Sequence, residues 1–346
     1  MTIVEQTRTF VTTRILPFVK PKHQHMVSFG IQALTCTPYE SLGGNARLVI
    51  KNICTASSKI YRLVSSKRVG INFPRLVASS GLVTRQNLVN VDFSSFCGFE
   101  TLCFGVQTGK GRALPVWNAC LTYPIKFIGS QNLFVLEQIK AFGQTLGFYP
   151  CFVFDRGFWI PVVMKFLLKN KILFYLRIKQ GQTLLWQEKE TRVKAISIGK
   201  YTKDTTTILF GYHLRLIVSP PPPKQTNLKK KQNTERWYII TNDRGSSRDE
   251  ILTIYKTRFE IEETFKDYKH IQNLKVLHIR KKETFTILLW FASLAYWIAW
   301  WRHQNQPETT IHPKKKRSFF RMFWEELQRA LREDGLKHVV VLPAPG

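Results

Sequence analysis

The chain has 346 residues, of which 44% are apolar and 13% aromatic, enough for a sizeable core and too many for wholesale disorder. It carries 52 Lys and Arg against 23 Asp and Glu, a net charge of +29 spread along its length, which favours a polyanionic partner over an acidic or neutral one. Six cysteines at 36, 54, 97, 103, 120 and 151 form no Cys-x-x-Cys pair, so a zinc site is not expected, and a chain of this size needs no disulfide staples. Reduced thiols in the cytosol are expected instead, and the N-terminus MTIVEQTRTF has no apolar signal region.

Residues 1–85 carry scattered basic residues with Glu5 and Glu40 as the acids, and no Asp precedes Asp92. The segment from Ala46 to Leu63 reads as helical, so 1–85 is expected either as a basic helical DNA-contacting region or as a helical cap on the core. LVNVDF (88–93) reads as a short strand ending near Asp92, and TLCFGVQT (101–108) and RALPVWNACLTY (112–123) as a hairpin turning at Gly109-Lys110-Gly111. NLFVLEQIKAFGQTLG (132–147) has helical periodicity and a terminal glycine. CFVFD (151–155) is a buried strand stopping at an acid. The order strand, strand, strand, helix, strand predicts a mixed sheet with helices packed on it, and 86–170 is taken as the first part of this core.

From 171 to 245 the runs ILFYLRIK, AISIGKY, TTILFGYHLRLIV and RWYIITND predict a β-rich inserted subdomain. SPPPPKQTNLKKKQNTER lies within it as an exposed loop. Ser247 to Glu250 fits a capping box opening a helix that runs to about His270, and 246–303 completes the core. Phe285 to Trp301 holds 17 residues without a charge, near the lower limit for a membrane span; a core helix is the reading preferred, and no membrane partner is expected. A polar linker and an amphipathic helix at about 319–332 fill 304–346. The basic run from Lys314 to Arg317 is read as solvated or phosphate-contacting.

Asp92 and Asp155 stand out because each follows an apolar strand-like run. On the helix after Ser247, Tyr255, Arg258, Glu262, Phe265 and Lys269 are spaced three, four, three and four residues apart, which would align them on one face. An ordinary ion-pair ladder explains any one of these pairs, but not the two strand-end acids. Three carboxylates suit metal-assisted phosphoryl transfer, in which two hard cations roughly 3.5–4 Å apart take oxygen ligands. Asp243 and Asp249 are competing acids nearby. The run GVQTGKG (105–111) fails as a phosphate loop, since its glycine spacing is short and Gly111 stands where Ser or Thr is needed. The histidines form no metal set by spacing.

The pattern Tyr255-x-x-Arg258-x-x-x-Glu262-x-x-x-x-x-x-Lys269 resembles the Tyr-Arg-Glu-Lys signature of insertion-sequence DDE transposases of the insertion sequence four group. FVFDRGFW around Asp155 and NVDFSSF around Asp92 are similar to that family's other two blocks, the latter with Ser94 where Thr is frequent. The resemblance covers roughly 85–300. It implies a ribonuclease H-like mixed sheet with helices on both faces, interrupted by the β-rich insertion. It implies a transposase that cleaves transposon ends and joins them to target DNA, with Asp92, Asp155 and Glu262 as catalytic and metal-holding residues. Two Mg²⁺ ions, with Mn²⁺ substituting, are implied as cofactors. Tyr255, Arg258, Lys269 and Arg156 would contact DNA phosphates, and Trp237 or Trp186 would stack on a flipped base unless it serves the core. Double-stranded DNA, a homodimer on paired ends and a bacterial cytoplasmic, nucleoid-associated location complete the implication. The alternatives are a catalytically silent DNA-binding relative, including an inhibitor of transposition, and a ribonuclease H-like nuclease with no joining step.

Overall fold

The computed structural model describes residues 3–19, 24, 72–121, 129–193, 203–220, 236–272, 274, 279–305 and 318–333. The helix expected over 46–63, the strand AISIGKY, most of the proline-rich loop and the basic run 314–317 lie outside these residues. The chain divides into two compact units, one of Met1–Val83, Phe93–Lys126 and Phe259–Gly346, the other of Thr84–Asp92 and Phe127–Arg258.

The first unit begins with α1 (Ile3–Phe10) and α2 (Phe73–Ser79). The strand β1 (Leu88–Phe96) enters it with residues 93–96 and turns at Cys97-Gly98, both at positive φ, into β2 (Phe99–Val106). Gly at such a turn suffers no Cβ penalty, which is what a two-residue hairpin requires. β2 pairs antiparallel with β3 (Leu114–Leu121), with Gly109 and Gly111 at positive φ between them, so the glycine-turned hairpin is present. β1 is longer than the expected strand, and Asp92 sits within it rather than at its end, because the alternating SSF continuation keeps pairing up to the Cys97-Gly98 turn. The unit closes with α6 (Phe259–His270), α7 (Lys282–Asn305) and α8 (Phe319–Glu333).

Helix α7 is long and apolar enough to cross a membrane, but 72% of its apolar window is buried inside the protein. Two of its buried polar side chains have partners in the first unit: Trp297 Nε1 donates to the Pro115 carbonyl at 2.7 Å and Ser293 Oγ accepts from Asn118 Nδ2 at 2.8 Å. Buried polar groups need such partners. The amphipathic C-terminal helix is present as α8, with Phe319, Phe320, Phe323, Trp324 and Leu327 buried.

The second unit holds the first half of β1, then α3 (Gln131–Leu146), β4 (Cys151–Phe154), α4 (Pro161–Lys169), β5 (Phe174–Ile178), β6 (Thr183–Trp186), β7 (Lys189–Arg192), β8 (Lys203–Leu209), β9 (Tyr212–Val218), β10 (Tyr238–Thr241) and α5 (Arg248–Lys256). Ser130 accepts from the Leu133 amide to start α3, and Gly147 in the left-handed region ends it. β1, β4 and β5 run parallel, and the order then continues β10-β9-β8-β6-β7 through antiparallel pairs. The described strands of 171–245, the segment expected as a β-rich insertion, extend the sheet that contains β4. Within the run ILFYLRIK, the five residues of β5 are all buried, the pattern of an internal strand.

The alternation along β4 explains why helices cover both faces of this unit's sheet. Cys151 and Val153 join Tyr175, Ile217 and Ile239 in a core sealed by Ile251 and Tyr255 of α5. On the opposite face Phe152 meets Phe142 of α3, with ring centroids 6.4 Å apart.

Candidate active site

Two acids come together through strand register. β1 and β4 pair from Leu88↔Cys151 to Val91↔Phe154, so the next step brings Asp92 level with Asp155 on neighbouring parallel strands. Both share the side-chain parity of Asn90 and Val153, the parity of the face that α5 covers. Asp155 directly follows the last residue of β4 and opens the short turn Arg156–Phe158. Such strand ends are where open α/β sheets place ligands.

The capping box that opens α5 is formed: Ser247 Oγ accepts from the Glu250 amide and the Glu250 carboxylate accepts from the Ser247 amide at 2.6 Å. The expected single helix to His270, however, breaks after Lys256 into α5 and α6. Thr257 Oγ1 donates back to the Ile254 carbonyl at 2.7 Å, and the Arg258 amide bonds the Tyr255 carbonyl three residues back. Such local bonds compete with the regular helical ladder. The helical stripe proposed from spacing is therefore interrupted between Tyr255 and Glu262, with Arg258 in the break.

Tyr255, in the last turn of α5, and Arg258, just after that helix, both meet the acids. Tyr255 OH donates to Asp155 Oδ1 at 3.0 Å, and Arg258 Nη1 lies 3.2 Å from Asp92 Oδ2. The Arg258 guanidinium also sits 5.8 Å from the Tyr255 ring centre, and its carbonyl accepts from Asn90 Nδ2 at 3.4 Å. Tyr255 is fully buried and Arg258 is 3% exposed. Burial pushes the Tyr255 hydroxyl above its ordinary value; the Arg258 charge opposes this and the Asp155 charge reinforces it, so the group stays a donor at neutral pH. The tyrosine and arginine expected at phosphates are engaged with the carboxylates.

Of the other residues named from sequence, Arg156 follows Asp155 directly and is exposed. Trp237 packs edge-on against Tyr255, with centroids 5.3 Å apart, which commits part of its ring to the core. Trp186 donates Nε1–H to Thr205 Oγ1 at 3.1 Å. Asp243, the competing acid, is tied into its own turn: its carboxylate accepts from Tyr175 OH at 2.6 Å and from the Gly245 and Ser246 amides.

Glu262 and Lys269 belong to the first unit, on α6, and both are half-buried. Lys269 Nζ stands 5.2 Å from the centre of the Phe96 ring. Sequence reasoning missed how α6 is anchored. The neighbouring Glu260, 6% exposed, accepts from the Thr108 and Gly111 amides of the β2–β3 turn, each at 2.8 Å. Asp267 accepts from Arg112 Nε at 2.6 Å and from Tyr296 OH at 2.7 Å. The signal was present as buried acids at i and i+7 of α6, but acidic residues on a charged helix do not announce burial.

Among the described residues no three His, Cys, Asp or Glu side chains group closely enough to hold a metal. The donor chemistry of Asp92 and Asp155 nevertheless suits a hard divalent cation, since both offer carboxylate oxygens side by side.

Residues 136–298, just under half of the chain, match the family model described as the transposase DDE domain. That stretch contains Asp155, Tyr255, Arg258, Glu262 and Lys269. The fold is similar to a cryo-EM structure of the piggyBac transposase synaptic complex with hairpin DNA, with a TM-score of 0.53 and 10% sequence identity, covering 99% of this chain and 83% of that one. A comparison with curated protein sequences gives no match.

Proposed function

We propose that this chain is a DNA transposase of the DDE type, which cuts transposon ends and joins them to target DNA by phosphoryl transfer. The observation that carries the reading is the register that sets Asp92 beside Asp155 on parallel strands, on the face where Tyr255 and Arg258 reach them. The match of 136–298 to the transposase DDE domain and the net charge of +29 support it. The parallel β1, β4 and β5, with an antiparallel hairpin and helices on both faces of the second unit's sheet, support a ribonuclease H-like core.

In this reading Asp92, Asp155 and Glu262 are the catalytic carboxylates and hold two divalent cations, Mg²⁺ with Mn²⁺ substituting. When bound, such cations supply charge neutralisation of the attacking and leaving oxygens. The chain's own residues supply position. Arg258 offsets the charge of Asp92, and Tyr255 fixes the orientation of the Asp155 carboxyl. Without them two like charges on neighbouring strands would repel. Arg156 and Lys269 contact DNA phosphates, and two copies act on paired ends in the bacterial cytoplasm.

The test is incubation of the purified full chain with DNA that carries the inverted repeats flanking its coding region, with Mg²⁺ and with EDTA. End cleavage and joined products with Mg²⁺ alone support the reading. A second reading, a DNA-binding relative without cleavage, is favoured by the engagement of both acids with Arg258 and Tyr255. The same experiment separates the two, since that relative would bind the ends and leave them intact.

A further inference from the structure

The second unit also carries an open cleft of about 480 Å³ whose lining includes neither Asp92 nor Asp155. Strand register builds it. Thr206 of β8 pairs with Arg215 of β9, and Arg215 pairs with Thr241 of β10, so three side chains stand in a row across one face. His213 lies two residues before Arg215 and projects to the same face. Asn242 and Arg244 close the end of the row, where the chain leaves β10 towards α5.

The floor of this cleft is fully occupied with its own bonds. Arg215 holds Asp204 through Nε and Nη2, and its Nη1 donates to the Asp243 and Ser246 carbonyls at 3.1 and 2.7 Å. Thr241 Oγ1 donates to the Phe174 carbonyl at 2.6 Å, and the Asn242 side chain bonds both the Phe174 amide and the Ile172 carbonyl. These residues set a rigid base in which the nearby carboxylate, Asp204, is already neutralised.

The rim is different. Arg244, His213 and Thr206 are exposed, and among the described residues their side chains have no hydrogen-bond or ion-pair partner. A guanidinium, an imidazole and a hydroxyl therefore meet over a preformed base with their donors unused. A group with several oxygens and negative charge satisfies all three, and a guanidinium matches phosphate geometry with two parallel bonds. The volume admits a sugar–phosphate unit rather than a bare ion.

We propose that this cleft binds a backbone phosphate of a DNA strand, with Arg244 and His213 contacting the phosphate and the Thr206 hydroxyl donating to it. The inference rests on the reading of the chain as a DNA-acting protein, but not on catalysis. Such a contact fixes the position of the strand and carries no base preference.

Equilibrium binding of the full chain to a mixed-sequence DNA duplex, followed by fluorescence anisotropy over a series of KCl concentrations, tests it. The variants are Arg244→Ala, the double variant Arg244→Ala with His213→Ala, and, as a control for lost charge, Arg329→Ala at an exposed position of α8. The slope of log affinity against log salt should fall in magnitude by about one for each lost phosphate contact. The double variant should also bind more weakly than the control at every salt concentration. Unchanged slope and affinity in cleft variants that melt like wild type would overturn the cleft while leaving the DNA reading intact. Absence of DNA binding by the wild-type chain would overturn both, and DNA binding with the expected slopes but no end cleavage would leave the cleft standing and remove the transposase reading.

Discussion

Arg258 and Asp92 form an ion pair across 166 positions of sequence, at 3.2 Å, with the guanidinium side chain 4% exposed and the carboxylate 20% exposed. Removing either member of such a pair leaves the other as an uncompensated charge with little access to water. Arg258→Met should therefore destabilise the chain by about 3 kcal/mol, the lower end of the range for removing one member of a buried pair. Adding Asp92→Asn to that variant should restore a large share of the loss. Urea unfolding midpoints of the two single variants and the double variant measure this, and additive losses would contradict the coupling.

Tyr255→Phe keeps the ring and its packing in the core beside Ile251 and removes only the bond to Asp155. A hydrogen bond to a charged group is worth roughly 1.5–3 kcal/mol, and a loss at the lower end is expected because Asp155 is only half-buried and water can replace the donor. The thermal midpoint should drop modestly with no change in secondary structure by circular dichroism.

Asp243 gives the chain an acid-sensitive element. Burial alone works against its charged form, but bonds from Ser246, Tyr175 and Gly245 outweigh burial and hold the carboxyl below its usual range. Its folded value thus lies below its unfolded one, so its contribution is present above the unfolded value and is lost as pH falls through the folded value. Stability measured from about pH 5 down to pH 2 should decline less steeply in Asp243→Asn than in the wild-type chain, the reference carboxylate value being about 3.9. Equal slopes would remove the assignment.

Gly143 faces the Tyr149 ring so closely that a Cβ there would meet Cε1 at 2.0 Å. Gly143→Ala must push that ring aside, although alanine favours the helix by about 1 kcal/mol. Overpacking costs roughly 1–3 kcal/mol, so the net effect should be destabilising. Tyr149→Ala in the same chain should relieve the clash and let alanine stabilise α3.

Much of this fold is legible from local chemistry. The apolar runs 151–154 and 174–178, the glycine turns of the β2–β3 hairpin and the Ser247 capping box all lie where pattern and propensity put them. Parity along β1 and β4 makes the pairing of Asp92 with Asp155 intelligible after the register is known, but register itself is a long-range property. The break at Thr257 was not legible, because a threonine bonding back along a helix looks in sequence like any other helical threonine. The continuation of β4 into a wide sheet through β5 and β10 was also hidden. A buried strand next to polar turns reads equally as part of a core or of an insertion until its neighbours are known. The anchoring of Glu260 and Asp267 depends on a distant turn and on Arg112, partners that no helical periodicity names.

The most direct test of the two-acid centre is Mg²⁺-dependent end cleavage by Asp155→Asn beside the wild-type chain, with DNA binding measured on the same preparations. The neutral amide should leave binding near wild type and cut the cleavage rate by more than about a hundredfold, the scale for losing one group that stabilises transition-state charge. Cleavage at the wild-type rate by the folded variant would contradict the role assigned to Asp155 and, with it, the account of the paired carboxylates.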